Sequence, residues 1–305
     1  MITIDAPTVH SALSYLDAIA SLAGALTAEP NTPPRQIVDT RHGQILLMPS
    51  ELGPFAGVKV VTIAPENPRL GLPRINGVYV LFDGSTLVPV AQLDAAALTA
   101  VRTAAVSALA VDTLADPEAA TLTLFGTGPQ AHSHLTALAT VRPVTSVRIV
   151  ARDPAKGATL ARTAESLGLT AEVLPPTEAE RAVAGADLIA CCTTAREPLF
   201  ADAGLAPEVT VVAVGSHEPD ARELDGALVA RATLVVESRA SAATAGDIVL
   251  SGRSTVDADL RELASVVVEP GRPRVFKSVG EAWEDLAVAA ALYSRLASSS
   301  EIQAR

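Results

Sequence analysis

Thr121-Leu122-Thr123-Leu124-Phe125-Gly126-Thr127-Gly128-Pro129-Gln130-Ala131 reads as a β-strand that turns through two glycines into a helix. The first five residues are of strand-forming or apolar type and end abruptly at glycine. Gly126 permits a tight turn, and Gly128 lets the backbone approach a pyrophosphate with no Cβ in the way. Pro129 suits the first helical turn, where its missing N–H costs no bond. Ala131 keeps the third position small for helix–strand packing. The helix start, with Thr127 and Gln130, then presents its positive dipole end to the phosphates. A glycine pattern alone is weak; a strand before it and a helix after it are what give it weight.

Outward from this loop the chain alternates. Helices are expected over Pro129–Ala139, Pro154–Leu167 and Glu178–Val183. Strands are expected over Val147–Ala151, Ala171–Leu174, Leu188–Cys192, Val209–Val214 and Thr233–Val236. Such β-α-β succession demands a mostly parallel, doubly wound sheet with right-handed crossovers, a Rossmann-type α/β domain over residues 116–276. Its second strand ends at Ala151-Arg152-Asp153. An acidic residue at that strand end takes a ribose 2′-hydroxyl, whereas Arg suits a 2′-phosphate. Arg152 comes first, which predicts NADP(H) as the preferred cofactor with NAD(H) possible.

Residues 1–115, joined by 277–305, read as a second, α+β domain for substrate and dimerisation. A helix is expected near Val9–Ala28, then strands at Gln44–Met48, Val58–Ile63, Asn76–Phe82 and Thr86–Val90. Asp83-Gly84 is a hairpin turn signal between the last two. Asp94–Ala115 is Ala-rich, free of Gly and Pro, and predicted as a buried helix. Gly280–Leu296 is predicted as a final helix returning to this domain. Four cations stand out by position: Arg35 after Pro33-Pro34, Lys59 inside an apolar strand, Arg74 before Ile75-Asn76-Gly77, and Arg102 within the buried helix. A charge in such a setting needs a partner. Together they point to a small anionic substrate, a carboxylate by the geometry of Arg.

Bulk properties narrow the class. The 305 residues allow two domains, and 49% hydrophobic with 19% charged residues is an ordinary globular balance. A net charge of −11 argues against a nucleic-acid partner. No run of eighteen uninterrupted apolar residues occurs, so no membrane partner is expected. Met1–Asp5 has neither the basic nor the apolar region of a signal peptide. Cys191 and Cys192 are neighbours and cannot staple distant segments, which fits a cytoplasmic location. The five histidines show no metal-ligand spacing, and His132 and His134 fall on different faces of their helix.

The chain resembles the ornithine cyclodeaminase/mu-crystallin family along nearly its whole length. The resemblance rests on Pro34-Arg35, Met48-Pro49, Lys59, Asn67-Pro68 and Leu98–Ala105 with its Arg102-Thr103-Ala104-Ala105. It continues through Gly126–Ala131, Thr193, Glu197-Pro198, Val214-Gly215, Arg222–Asp225 and Phe276-Lys277-Ser278-Val279-Gly280. It implies a homodimer in which the first domain, completed by the C-terminal helix, holds substrate. Carried over by position, Arg35, Lys59 and Arg102 hold the substrate carboxylate, with Arg74 and Gly280 at the substrate site. Thr103, Thr193, Val214, Ser216 and Ser278 lie along the cofactor.

Cyclodeaminases of the family carry Asp two residues after the glycine matching Gly215, where this chain has His217, and Thr where it has Arg74. Both departures favour reduction: an NAD(P)H-dependent reductase of pyrroline-2-carboxylate or piperideine-2-carboxylate type. His217, whose imidazole type titrates near pH ~6.5, and Lys59 are the candidate proton donors. Three alternatives stay open on sequence: an ornithine cyclodeaminase, an alanine or N-alkyl amino-acid dehydrogenase, and a non-catalytic NADPH-binding protein.

Overall fold

The computed structural model describes residues 1–298. Residues 299–305, assigned from sequence to the first domain, lie outside the described residues. The chain divides into two compact units, Met1–Val106 with the segment from Gly280 onward, and Ser107–Val279.

The first unit is built from β1 (Ile2–Ile4), α1 (Ala6–Ala12), α2 (Tyr15–Thr27), β2 (Gln36–Thr40), β3 (Gly43–Leu52), β4 (Phe55–Ile63), β5 (Ile75–Asp83) and β6 (Pro89–Asp94). Its six-stranded sheet runs β1-β6-β5-β4-β3-β2, antiparallel except that β1 lies parallel to β6. The single helix expected over Val9–Ala28 is two helices. The Ser14 hydroxyl accepts from the Asp17 N–H at 3.1 Å and caps α2, so the chain stops at Leu13 and restarts. The turn at Asp83-Gly84 is also longer than a two-residue hairpin. The Asp83 carboxylate accepts from the N–H groups of Ser85 (3.1 Å) and Thr86 (2.9 Å), and Leu87 takes φ 56° before β6 begins.

Alternation along β3–β5 gives this sheet two faces. Leu46, Met48, Lys59, Val61, Tyr79 and Leu81 are buried on one, which the C-terminal helix Ala282–Ser298 covers across β3 and β4. Leu47, Val58, Val60, Val78 and Val80 occupy the other, and none of them is buried.

Helix α3 (Ala95–Leu114) starts where the Asp94 carboxylate accepts from the Ala97 N–H at 2.8 Å. Its length and composition would suffice to cross a membrane, yet most of it is buried in the protein and Arg102 within it is ion-paired. It is a core helix. At its far end the Arg142 guanidinium donates to the carbonyls of Val111 (3.0 Å), Asp112 (2.6 Å) and Ala115 (3.1 Å), satisfying acceptors that a helix end leaves over.

The second unit holds β7 (Thr121–Phe125), α4 (Pro129–Val141), β8 (Ser146–Val150), α5 (Pro154–Ser166), β9 (Thr170–Leu174), α6 (Ala179–Val183), β10 (Leu188–Cys191), β11 (Thr210–Ala213), α7 (Gly226–Arg231), β12 (Thr233–Val236), α8 (Arg239–Ala242), α9 (Gly246–Val249), β13 (Ala258–Asp259) and β14 (Arg274–Lys277). All eight strands are parallel, in the order β13-β12-β14-β11-β10-β7-β8-β9. The chain winds outward from β7 to β9, then returns to place β10 on the opposite side of β7. That reversal opens a crevice beyond the carboxyl ends of β7 and β10, where open α/β sheets take their ligands.

Every residue of β10, β11, β12 and β14 is buried, as expected of parallel strands covered on both faces. Each fully buried Val or Leu there contributes roughly 1.5–3 kcal/mol. Strand β14 is an interior strand even though Arg274 and Lys277 bracket it, and it is absent from the strands expected from sequence.

Candidate functional site

In the second unit the glycines behave as the loop chemistry requires. Gly126 sits at φ +105°, and a Cβ there would lie 2.4 Å from the Cys192 carbonyl oxygen. Only glycine lets β7 turn this close to the end of β10. Gly128 is the N-cap of α4, and a Cβ on it would meet nothing within 4 Å. The space beside it is open, as a pyrophosphate needs. Pro129 starts the helix and Ala131 is fully buried against the sheet. The donor set and the open cradle fit a dinucleotide.

Apart from Thr103, the other residues expected along the cofactor follow carboxyl ends of parallel strands. Arg152 follows β8, Thr193 follows β10, Val214 and Ser216 follow β11, and Ser278 follows β14. Thr127 and Gln130 belong to the β7–α4 loop and helix start. Arg152 is exposed, while the Asp153 carboxylate caps α5 by accepting from Ala155 N–H (3.0 Å) and Lys156 N–H (3.3 Å). Three of the hydroxyls are committed to the protein: Thr193 donates to Glu223 at 2.7 Å, Ser216 to the Ala221 carbonyl and Ser278 to Glu237. His217 is exposed in the loop after β11. Thr103, by contrast, is buried on α3 in the first unit.

His134, which sequence spacing gives no metal-ligand partner, is fully buried, with Nδ1 at 2.8 Å from the Gln130 carbonyl and Nε2 at 2.9 Å from Ser107 Oγ. Both cysteines are free, and among the described residues no group of His, Cys, Asp and Glu could hold a metal.

The first unit gathers three of the four expected cations. Lys59 Nζ lies 2.7 Å from Asp285 Oδ2, and Arg102 Nε lies 3.1 Å from Asp285 Oδ1. Arg102 Nη1 also pairs with Glu284 Oε2 at 2.6 Å. Arg35 Nη2 donates to the Gly280 carbonyl at 2.5 Å, and a Cβ on Gly280 would fall 2.7 Å from Arg102 Nη2. Gly280 has φ +82°, so glycine is needed both for the turn and for the approach. Arg74 stands exposed before β5, and among the described residues no ion pair or hydrogen bond of its guanidinium joins it to this cluster.

Asp285 and Glu284 are fully buried, and sequence reading missed both. Their signal was present: an acidic pair in the first turn of an otherwise apolar helix, within a domain whose buried Arg102 wanted a partner.

The cluster has uneven electrostatics. Burial pulls the Lys59 amine down to about 8, with Asp285 opposing that fall and Arg102 adding to it. Burial, then the negative charge of Asp285, pushes the Tyr79 phenol well up, so it stays protonated.

Comparison with known proteins identifies the family. The model of the ornithine cyclodeaminase/mu-crystallin family matches residues 4–300. A Delta(1)-pyrroline-2-carboxylate reductase of Bacillus cereus is 38% identical over 82% of this chain and 81% of its own. The structure of the Thermococcus litoralis Delta(1)-pyrroline-2-carboxylate reductase in complex with NADH and L-proline superposes with a TM-score of 0.91 at 29% identity, covering 98% of each chain. An archaeal alanine dehydrogenase dimer with bound NAD gives a TM-score of 0.90 at 27% identity, covering 97% of this chain and 96% of that one. The chain belongs to the ornithine cyclodeaminase/mu-crystallin family.

Proposed function

We propose that the chain is an NAD(P)H-dependent reductase of cyclic 2-imino carboxylates, of the pyrroline-2-carboxylate or piperideine-2-carboxylate type, forming the L-amino acid. One observation carries this reading: a cluster in which half-buried Arg35 joins buried Lys59 and Arg102 around Gly280 and Asp285, in a chain whose other unit has an open dinucleotide cradle. The likeness to reductases of pyrroline carboxylate supports it.

Arg35 and Arg102 bind the substrate carboxylate, their guanidiniums already oriented by Gly280 and by Glu284 with Asp285. Pre-orientation lowers the entropy cost of holding the substrate. The Gly126–Ala131 cradle would hold the pyrophosphate of a reduced dinucleotide, which would supply the hydride for the carbon of the C=N bond. Lys59 holds the proton that the nitrogen takes as the double bond becomes C–N, and it can release that proton because burial has already weakened its hold. Asp285 keeps the amine in place and stabilises its charged form before transfer. Lys59 is the proton donor in this reading rather than His217, because Lys59 is buried with its hold on the proton weakened while His217 is exposed in the loop after β11.

The finer cofactor choice is NADP(H). Ala151 offers no carboxylate at the end of β8, Asp153 caps its helix through one oxygen, and Arg152 is exposed for a 2′-phosphate. The protein assembles as a homodimer through the uncovered apolar face of the six-stranded sheet, where Val78 is 37% exposed.

A substrate panel followed at the NAD(P)H absorbance band tests the function. Pyrroline-2-carboxylate and piperideine-2-carboxylate are expected to oxidise the cofactor. Turnover only with pyruvate plus ammonia would make the chain an amino-acid dehydrogenase. Conversion of ornithine to proline without net absorbance change would make it a cyclodeaminase. Tight NADPH binding with no turnover across the panel would leave a binding protein.

A further inference from the structure

Behind the loops that follow β10 and β11 lies a second buried ionic chain, separate from the cations of the first unit. Glu223, Asp247 and Lys277 are each 1% exposed or less. The Glu223 carboxylate accepts from Thr193 N–H at 2.8 Å and Thr193 Oγ1 at 2.7 Å through one oxygen, and from Gly215 N–H at 2.8 Å through the other. It therefore ties the segment leaving β10 to the segment leaving β11. Lys277 Nζ, at the end of β14, donates to the carbonyls of Ser216 (2.5 Å) and Ala213 (3.3 Å) and pairs with Asp247 at 3.0 Å. Asp247 in turn accepts from the backbone N–H groups of Glu223 (2.7 Å) and Leu224 (2.9 Å).

These bonds converge on backbone at the crevice end of three adjacent strands. The approach is so close that a Cβ on Gly215 would lie 1.9 Å from the Thr193 carbonyl oxygen and 2.6 Å from the Glu223 carboxylate. A neutral apolar plug would fill the same volume, but it could not satisfy the N–H groups of Thr193 and Gly215 together with the Ser216 carbonyl. Burying three charges to do so is costly unless a defined geometry is what they secure. The cradle at β7–α4 takes the pyrophosphate, so the strand ends of β10 and β11 lie on the nicotinamide side of the crevice.

We propose that Glu223, Asp247 and Lys277 are positioning residues that set the nicotinamide half of the dinucleotide site. They act through the backbone of Thr193, Gly215 and Ser216 without touching the cofactor. The inference rests on the cofactor reading above.

The test compares binding of NADH with binding of ADP-ribose, which lacks the nicotinamide, by titration of the full-length protein. Glu223→Gln replaces the acceptor facing Gly215 or Thr193 by a donor. It is expected to weaken NADH roughly tenfold or more, the scale of one lost charged hydrogen bond, and to leave ADP-ribose within about twofold. Asp247→Asn keeps an acceptor for the two N–H groups and removes the charge opposite Lys277, so a smaller loss in the same direction is expected. Equal weakening of both ligands, or of neither, in folded variants overturns the proposal.

Hydrogen exchange on the unaltered protein gives a readout that needs no variant. NADH is expected to slow exchange over residues 193–195 and 213–217 beyond the slowing produced by ADP-ribose. Identical protection by the two ligands also overturns the proposal. Failure of the unaltered protein to bind either ligand would instead remove the cofactor reading on which the inference rests.

Discussion

Lys59 on β4 and Asp285 on the C-terminal helix meet at 2.7 Å in the interior of the first unit, with side-chain exposures of 3% and 0%. The pairing joins residues far apart in sequence, and it decides how the amine behaves. Burial brings Lys59 to about 8 from 10.5, and Asp285 is the main force resisting a further fall.

Proton donation by Lys59 makes kcat/KM for imine reduction fall as pH rises through about 8. The stability contribution of the same amine runs the other way. Between about 8 and 10.5 the unfolded chain binds the proton that the folded protein has released, so stability rises with pH across that window. A pH–rate profile beside urea unfolding at each pH separates the two. Lys59→Met is expected to abolish the alkaline limb, while His217→Ala leaves it in place. An unchanged limb in Lys59→Met would remove the amine as donor.

Asp285→Asn takes away the charge that holds Lys59 up and leaves Arg102 with Glu284 as its remaining ion pair. The alkaline limb is expected to move to lower pH. Loss of one member of a buried pair is expected to cost about 3 kcal/mol in urea unfolding. A stable variant with an unmoved limb would mean that Asp285 does not govern the amine.

Most of the second unit was legible because its strands are short apolar runs bounded by glycine, proline and charge. Thr121–Phe125 and Thr233–Val236 are strands over the expected residues. Where reading failed, the deciding partner was distant. Arg274-Val275-Phe276-Lys277 has a charge at each end, and those charges are accommodated inside a strand only because the Glu208 carbonyl takes Arg274 and Asp247 takes Lys277. Ile2–Ile4 is too short for periodicity, and it is a strand only because β6 lies beside it. The cations of the first unit were visible as misplaced charges, but Asp285 and Glu284, which hold Arg102 and Lys59, lie some two hundred residues away along the chain.

The carboxylate clamp depends on the absence of a side chain at Gly280. A Cβ there would press on Arg102 Nη2 at 2.7 Å in a backbone conformation of φ +82° that alanine disfavours. Gly280→Ala is expected to raise KM for the imino acid at least about tenfold, the scale of one disturbed charged contact, with the dinucleotide Kd unchanged. Steady-state kinetics beside a cofactor titration would show this. An equal rise in both constants would point to general damage.

Arg152→Ala tests the cofactor choice. The guanidinium is exposed at the end of β8, and the Asp153 carboxylate beside it caps α5 through one oxygen. The ratio of kcat/KM for NADPH to that for NADH is expected to fall about tenfold or more, through loss of NADPH activity alone. A protein that already prefers NADH before the change would refute the assignment.

Gly126 and Gly128 make a paired prediction, because the protein crowds one and leaves the other open. Gly126→Ala would drive a Cβ to 2.4 Å from the Cys192 carbonyl oxygen, so the Tm is expected to fall along with cofactor affinity. Gly128→Ala meets no protein atom within 4 Å, so the Tm of the unliganded protein should hold. Its cost appears only when a pyrophosphate competes for the same space, as a rise in dinucleotide Kd of roughly tenfold or more. Thermal unfolding with and without NADPH measures both terms at once. If Gly128→Ala binds the dinucleotide as tightly as the unaltered chain, the space above that glycine is not where the phosphates sit.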